Sequence, residues 1–130
     1  MNVGLVAHNS KKVLLENFCI AYKGILKKHS LFATGMTGKR IETATGLSVS
    51  KFLPGVMGGS KQFANEIERN DLDMVIFFHN TNGMEGESES DFEEISRICD
   101  LYNIPLASNI ATAESLILGL DNGDLEWREM

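Results

Sequence analysis

Cysteine, proline and tryptophan are scarce in this sequence, whose 130 residues carry 2 Cys, 2 Pro and 1 Trp. Cys19 and Cys99 each stand alone inside a helical pattern, with no C-x-x-C and no histidine-rich spacing, so disulfide and zinc readings have little support. They read as buried, inert thiols. So little proline, with no internal repeat and no low-complexity tract, fits one compact domain over 1–130. No stretch supplies the roughly 18 consecutive apolar residues that a membrane span needs. The start, Met1 then Val3-Gly4-Leu5-Val6-Ala7, has neither a basic n-region nor a long apolar h-region, so a signal peptide is not expected and a cytoplasmic location is.

What is present is a core and an uneven charge. Hydrophobic residues make up 43% of the chain, too many for a disordered segment. The net charge of −6 hides a split. Residues 1–61 hold nine Lys/Arg against Glu16 and Glu42, a net +7, while the remainder holds three Arg against sixteen acids, a net −13. An acidic protein does not suit general binding of nucleic-acid polymers, but the basic half suits a small anion.

Apolar runs of strand length recur at Asn2–Ala7, Leu31–Ala33, Leu47–Phe52, Asp73–Phe78 and Pro105–Ser108. Between them, Lys12–Leu26, the segment around Phe63 and Ile67, and Phe92–Tyr102 repeat apolar residues with helical period. A short helix over Lys39–Thr45 is expected to end at Gly46, and Asp91 is placed to cap the helix over Phe92–Tyr102. Successive β-α units require crossovers, and crossovers make a parallel sheet covered on both faces. The expected fold is therefore α/β: a three-layer, doubly wound, five-stranded parallel sheet. Gly4–Ala7 and Met74–Phe78 read as central strands, and the alternating Leu47-Ser48-Val49-Ser50 as an edge. The acidic tail, about 121–130, reads as the least structured part.

In open parallel sheets, ligands bind beyond the carboxyl ends of the strands. Four loops fall there. His8-Asn9-Ser10-Lys11-Lys12 offers a helix start that Ser10 can cap, with Lys12 on the first turn. Thr34-Gly35-Met36-Thr37-Gly38 offers two hydroxyls and two glycines that let backbone approach a ligand. Pro54-Gly55-Val56-Met57-Gly58-Gly59-Ser60 is a glycine-rich turn opening onto a helix that Ser60 can cap. His79-Asn80-Thr81-Asn82-Gly83-Met84 precedes Glu85, Glu87, Glu89, Asp91, Glu93 and Glu94. Those acids favour the next helix N-terminus, and no fixed spacing among them marks a metal site. His8 and His79 both follow apolar strands; each is a candidate general acid or a histidine satisfied by backbone.

The segments LVAHNSKK, LFATGMTG, TGLSV, GVMGGSKQ, DMVIFF and YNIPLASNIATAE, in that order over nearly the whole chain, resemble the methylglyoxal synthase family. The resemblance implies a flavodoxin-like domain assembled as a homohexamer. It also implies conversion of dihydroxyacetone phosphate to methylglyoxal and phosphate without a metal or organic cofactor. The same domain type serves as a ligand-binding module in larger enzymes of nucleotide synthesis. The family's phosphate site maps onto Lys12, the loop Thr34–Thr37 with Gly38, and Pro54-Gly55, with His8 nearby. Met36 stands for a threonine and Pro54 for a serine, which removes a hydroxyl and a backbone donor.

Catalytic positions depart further. The family's carboxylate base is Ser60 here, its H-D is His8-Asn9, its D-P is Asn80-Thr81, and of its P-H-x-P-D loop only Asp91 survives. Loss of one general base costs about 10²–10⁴ in rate, so several losses imply binding without turnover. The expectation is thus a non-catalytic protein that binds or sequesters a phosphorylated small molecule, such as a nucleotide or nucleotide-derived signal. The ligand contacts would come from His8, Lys12, Thr34, Gly35, Met36, Thr37, Gly38, Pro54, Gly55, Ser60 and His79. The alternative is a working synthase, a carbon–oxygen lyase with a relocated base, in which Asp91 is the surviving acid/base and Glu85, Glu87, Glu89 or His79 could swing in.

Overall fold

The computed structural model describes residues 1–52, 58–80 and 89–129; the side chains of Ser60, Glu89, Ser90 and Glu129 lie outside that description. Five parallel strands form one sheet: β1 (Asn2–Ala7), β2 (Ser30–Ala33), β3 (Ser50–Lys51), β4 (Met74–Phe78) and β5 (Leu106–Ala107). Their order is β3-β2-β1-β4-β5, with Val3 beside Met74 and Asn2 beside Ser30 in register. The helices are α1 (Lys12–Ala21), α2 (Lys23–Leu26), α3 (Gly35–Thr45), α4 (Gly59–Glu68), α5 (Glu89–Tyr102) and α6 (Ile110–Asp121). The fold is α/β, doubly wound and flavodoxin-like.

The central strands are those with near-continuous apolar sequence, because both of their faces are covered. Val3, Leu5 and Ala7 of β1 point toward α1, α3 and α6, in a core with Leu15, Phe18, Ile41, Met74, Ile76, Phe78 and Ile117. Val6, Val75 and Phe77 point the other way, into a core with Phe63 and Ile67 of α4 and Ile95, Ile98 and Cys99 of α5. Gly4 shares that second face. A Cβ there would lie 2.3 Å from Phe63 Cζ, so helix-to-sheet packing requires glycine.

Several expected boundaries are corrected. The edge strand is only Ser50–Lys51, not Leu47–Phe52. Leu47 and Val49 are buried, but Glu42 takes the Val49 N–H at 2.9 Å, so that donor serves a side chain rather than the sheet. The first helix breaks at Tyr22 into α1 and α2. Helix α3 starts at Gly35, four residues before Lys39, and ends as expected at Gly46, a left-handed residue with φ 77°. Ser10 lies in a 3-10 turn over Asn9–Lys11 and caps nothing by its side chain; α1 is entered through Lys11. Gly58, at φ 99°, is the N-cap of α4, so Ser60 falls within the helix. Asp91 likewise sits inside α5, two residues past its start.

The acidic tail is ordered rather than the least structured part. α6 continues to Asp121, a 3-10 turn covers Glu126–Glu129, and Leu125 joins the first core. Arg128 packs against the turns that lead into β4 and β5, its side chain 5% exposed. Its guanidinium donates to Asp73 Oδ1, the Asn103 carbonyl, Asn70 Oδ1 and the Leu72 carbonyl at 2.9–3.3 Å. Asn70 and Asn103, which end the turns after α4 and α5, are the non-glycine residues with positive φ among the described residues, at 59° and 56°. Asp73 Oδ2 also accepts the Asn2 N–H at 2.8 Å, so the same carboxylate ties β1 to the turn before β4.

Candidate active site

The strand order reverses between β1 and β4, and His8 leaves the carboxyl end of β1 at that point. His8 is buried, 4% exposed, and its backbone N–H donates to the Phe78 carbonyl at 3.1 Å, extending the β1–β4 pairing by one residue. Both ring nitrogens are engaged. The Asn80 backbone N–H donates to Nδ1 at 2.8 Å, so Nδ1 accepts and carries no proton. Nε2 is then the protonated nitrogen, and it donates to Asp91 Oδ1 at 3.0 Å. This hydrogen bond joins residues 83 apart in sequence, one at the end of β1 and the other in the first turn of α5. The Asp91 side chain is 27% exposed, so its carboxylate faces both His8 and the solvent side.

One helical turn after His8, Lys12 opens α1 and directs its ammonium back across the end of β1. Lys12 Nζ donates to the Ala7 carbonyl at 2.8 Å and to Thr37 Oγ1 at 3.2 Å. Thr37 lies in the first turn of α3, where Thr34 is the N-cap in extended conformation (φ −66°, ψ 155°) with no side-chain cap hydrogen bond. The first intrahelical bond runs from the Gly38 N–H to the Thr34 carbonyl at 2.8 Å. The N–H groups of Gly35, Met36 and Thr37 therefore have no intrahelical acceptor. A helix N-terminus, two threonine hydroxyls and an ammonium together favour an anion.

The structure thus brings together Lys12, Thr34, Gly35, Thr37 and, across β1, His8 and Asp91. Thr34 and Thr37 are buried, whereas Met36 is 56% exposed and turns away to line a groove of about 340 Å³ with Glu16, Lys39, Arg40, Thr43 and Ala44. That groove lies between α1 and α3, and among the described candidate residues Met36 alone reaches it. Gly38 has a packing reason: a Cβ would stand 2.6 Å from Lys51 Cγ, so close packing of α3 on β3 accounts for glycine there. His79 is half-buried and its ring stacks on Phe92 at 3.9 Å and 12°. Pro54, Gly55, Val56, Met57, Glu85 and Glu87, and the side chains of Ser60 and Glu89, fall outside the described residues. No group of three or more His, Cys, Asp or Glu able to hold a metal occurs among the described residues. No described helix is long and apolar enough to cross a membrane.

Sequence reasoning found both members of the central pair without finding the pair. His8 follows an apolar strand and is a candidate general acid, and Asp91 is both a helix-cap candidate and the surviving acid/base of the alternative reading; neither signal implies contact. Asn80 was marked only as a departure from the family pattern. Its part here is played by the backbone N–H, which no side-chain pattern reveals.

Residues 15–108 match the family model described as the MGS-like domain. The chain belongs to this family. Among relatives named methylglyoxal synthase, one from Caldicellulosiruptor saccharolyticus is 53% identical over 130 residues, covering 100% of this chain and 92% of that protein. One from Listeria welshimeri is 48% identical over 130 residues, covering 100% of this chain and 96% of that protein. The crystal structure of methylglyoxal synthase from Elizabethkingia anophelis superposes with a TM-score of 0.82 at 34% identity, over 89% of this chain and 76% of that one. These full-length relatives overturn the expectation of a non-catalytic binding protein, because proteins half identical to this chain from end to end are named as the enzyme. The substituted positions stand one by one in the sequence, whereas the carboxylate–imidazole pair exists only in the folded chain.

Proposed function

We propose that this protein is a methylglyoxal synthase, a carbon–oxygen lyase that converts dihydroxyacetone phosphate to methylglyoxal and inorganic phosphate. The observation that carries this reading is the juxtaposition of a hydrogen-bonded His8–Asp91 pair with Lys12 and the open first turn of α3. An anion cradle beside a carboxylate and a neutral N–H donor is what enolisation of a phosphorylated ketone requires. In this reading the phosphate sits on Lys12, the Thr34 and Thr37 hydroxyls and the amides of Gly35–Thr37.

The Asp91 carboxylate takes a proton from the hydroxymethyl carbon, and the electron pair moves onto the carbonyl oxygen. As Asp91 becomes protonated it ceases to attract the His8 Nε2–H, which turns to the new oxyanion. The terminal hydroxyl of the resulting enediolate then loses its proton and becomes an aldehyde oxygen. Its electrons pass through the carbon–carbon double bond and break the carbon–oxygen bond to phosphate. Phosphate leaves with that bond pair and the proton released by the hydroxyl, and the remaining enolate takes the proton held by Asp91 on its terminal carbon to give methylglyoxal. The carboxylate is placed on Asp91 rather than at position 60, where the family's aspartate is a serine.

The protein is further read as a cytoplasmic homohexamer. Support for assembly is the set of large apolar side chains left exposed on α1, α5 and α6, among them Val13, Ile20, Leu101 and Leu118. Light scattering of the purified protein at about six protomers supports it, and a monomer contradicts it. The activity is tested by incubating the protein with dihydroxyacetone phosphate and following methylglyoxal and phosphate together. Equal amounts of both, above buffer and abolished by boiling, support the reading; neither product above buffer rejects it.

A further inference from the structure

We propose that His79 and Phe92 are positioning residues: their stacked rings form a clamp that delivers both hydrogen-bond partners of His8. The proposal rests on the acid/base reading of His8 and Asp91. The two partners are the Asn80 N–H, at Nδ1, and Asp91 Oδ1, at Nε2. Asn80 directly follows His79, and Asp91 directly precedes Phe92. The stack at 3.9 Å and 12° therefore fastens the residue after one partner to the residue before the other.

Phe92 is held on a second side as well. Its ring meets Phe77 of β4 edge-on at 5.1 Å and 88°, and Phe77 meets the His8 ring edge-on at 5.2 Å and 85°. The four rings run His79, Phe92, Phe77, His8, and the His8–Asp91 hydrogen bond closes the circuit. Successive helix residues point about 100° apart, so fixing Phe92 between β4 and His79 fixes the rotation of the first turn of α5. That rotation decides whether the carboxylate of Asp91 reaches His8. Offset-stacked and edge-on pairs are favoured by ring quadrupoles, which gives the clamp orientation as well as contact. His79 accordingly acts through its ring face, whereas a ligand contact would use a ring nitrogen.

The substitutions His79→Phe, His79→Ala and Phe92→Leu separate these roles, with unfolding temperature recorded for each. Two readouts are taken: imidazole ¹⁵N–¹H spectra, in which His8 reports its tautomer, and steady-state kinetics with dihydroxyacetone phosphate. The expected result is a single Nε2–H tautomer at His8 in the unsubstituted protein and in His79→Phe, lost to a mixture in His79→Ala and Phe92→Leu. Misplacement of about an ångström in the pair is expected to lower kcat by about 10- to 100-fold in the last two, with KM within about twofold. His79→Phe retains kcat. An unchanged His8 signal in both His79→Ala and Phe92→Leu overturns the clamp, and so does a His79→Phe variant as impaired as His79→Ala. Should Phe92→Leu fail to fold, the two His79 variants still decide. An Asp91→Asn variant with undiminished turnover overturns the acid/base reading and the kinetic half of the proposal, while the spectra still read the structural half.

Discussion

At His8, the chemistry is set by what each ring nitrogen meets: a backbone N–H on one side and a carboxylate on the other. Lys12 is defined in the same way, by the Ala7 carbonyl and Thr37 Oγ1, which aim its charge at the start of α3. A hydrogen bond to a charged group is worth about 1.5–3 kcal/mol, so Lys12→Met is expected to raise KM for a phosphorylated substrate by about 10-fold or more. The check is a substrate titration beside circular dichroism showing an unchanged fold. The two thiols provide a contrasting case. Burial, reinforced by Glu16 at Cys19 and by Asp100 at Cys99, pushes both up to about 12. Only the thiolate is reactive, so an aromatic disulfide reagent at pH 7.5 should label neither cysteine in the native protein and both in urea. Rapid labelling of the native protein would contradict that burial. Their inertness was legible in the sequence from their isolation within helical patterns. The His8–Asp91 contact was not, since it depends on where α5 begins and how it is turned.

Elements here are fixed as much by single side chains as by their own sequence. Strand β3 is two residues long, and Glu42 secures its approach by accepting the Val49 N–H and pairing with the Lys51 ammonium. The Lys51 ammonium, then the Val49 N–H, hold the Glu42 carboxyl below the ordinary glutamate range. A lowered folded-state pKa contributes stability that is present above the ordinary glutamate value and is lost as pH falls through the lowered one. Glu42→Gln should therefore lower the unfolding temperature at neutral pH and lose its effect in the acid range; an equal effect at every pH would contradict this. At the opposite end of the sheet, Arg128 holds the left-handed turns after α4 and α5. Removing one partner of a buried pair costs about 3–5 kcal/mol, so Arg128→Met should destabilise by about 3 kcal/mol in urea while kcat stays unchanged. This clasp was invisible in composition, where four acids in the last ten residues suggested a loose tail. Helix α6 was equally hard to see: Ile110–Asp121 is apolar nearly all round and lacks the face-to-face contrast that marked α1 and α5.

For the molecule as a whole, sequence pattern and fold agree best where burial is two-sided. Asn2–Ala7 is β1 to the residue, and the expected Asp73–Phe78 differs from β4 by Asp73 alone, because a strand covered on both faces has little choice but continuous apolar residues. Glycine at position 4 belongs to the same logic: Gly4→Ala forces a methyl against Phe63 and should cost about 1–3 kcal/mol by overpacking. The basic half of the chain supplies Lys12 and α3, and the acidic half supplies Asp91. The charge split first seen in composition thus meets at the carboxyl ends of β1 and β4, where the Lys12 ammonium and the first turn of α3 lie on one side and the Asp91 carboxylate on the other. Substituted family positions led the sequence reading toward a protein without turnover, and full-length relatives named methylglyoxal synthase reversed it. The most direct test measures methylglyoxal formed from dihydroxyacetone phosphate by the unsubstituted protein and by Asp91→Asn. Turnover by the former and a loss of about 10²–10⁴ in kcat in the latter, with the fold intact, is the predicted result. No methylglyoxal from the unsubstituted protein, or equal rates from both, would contradict it.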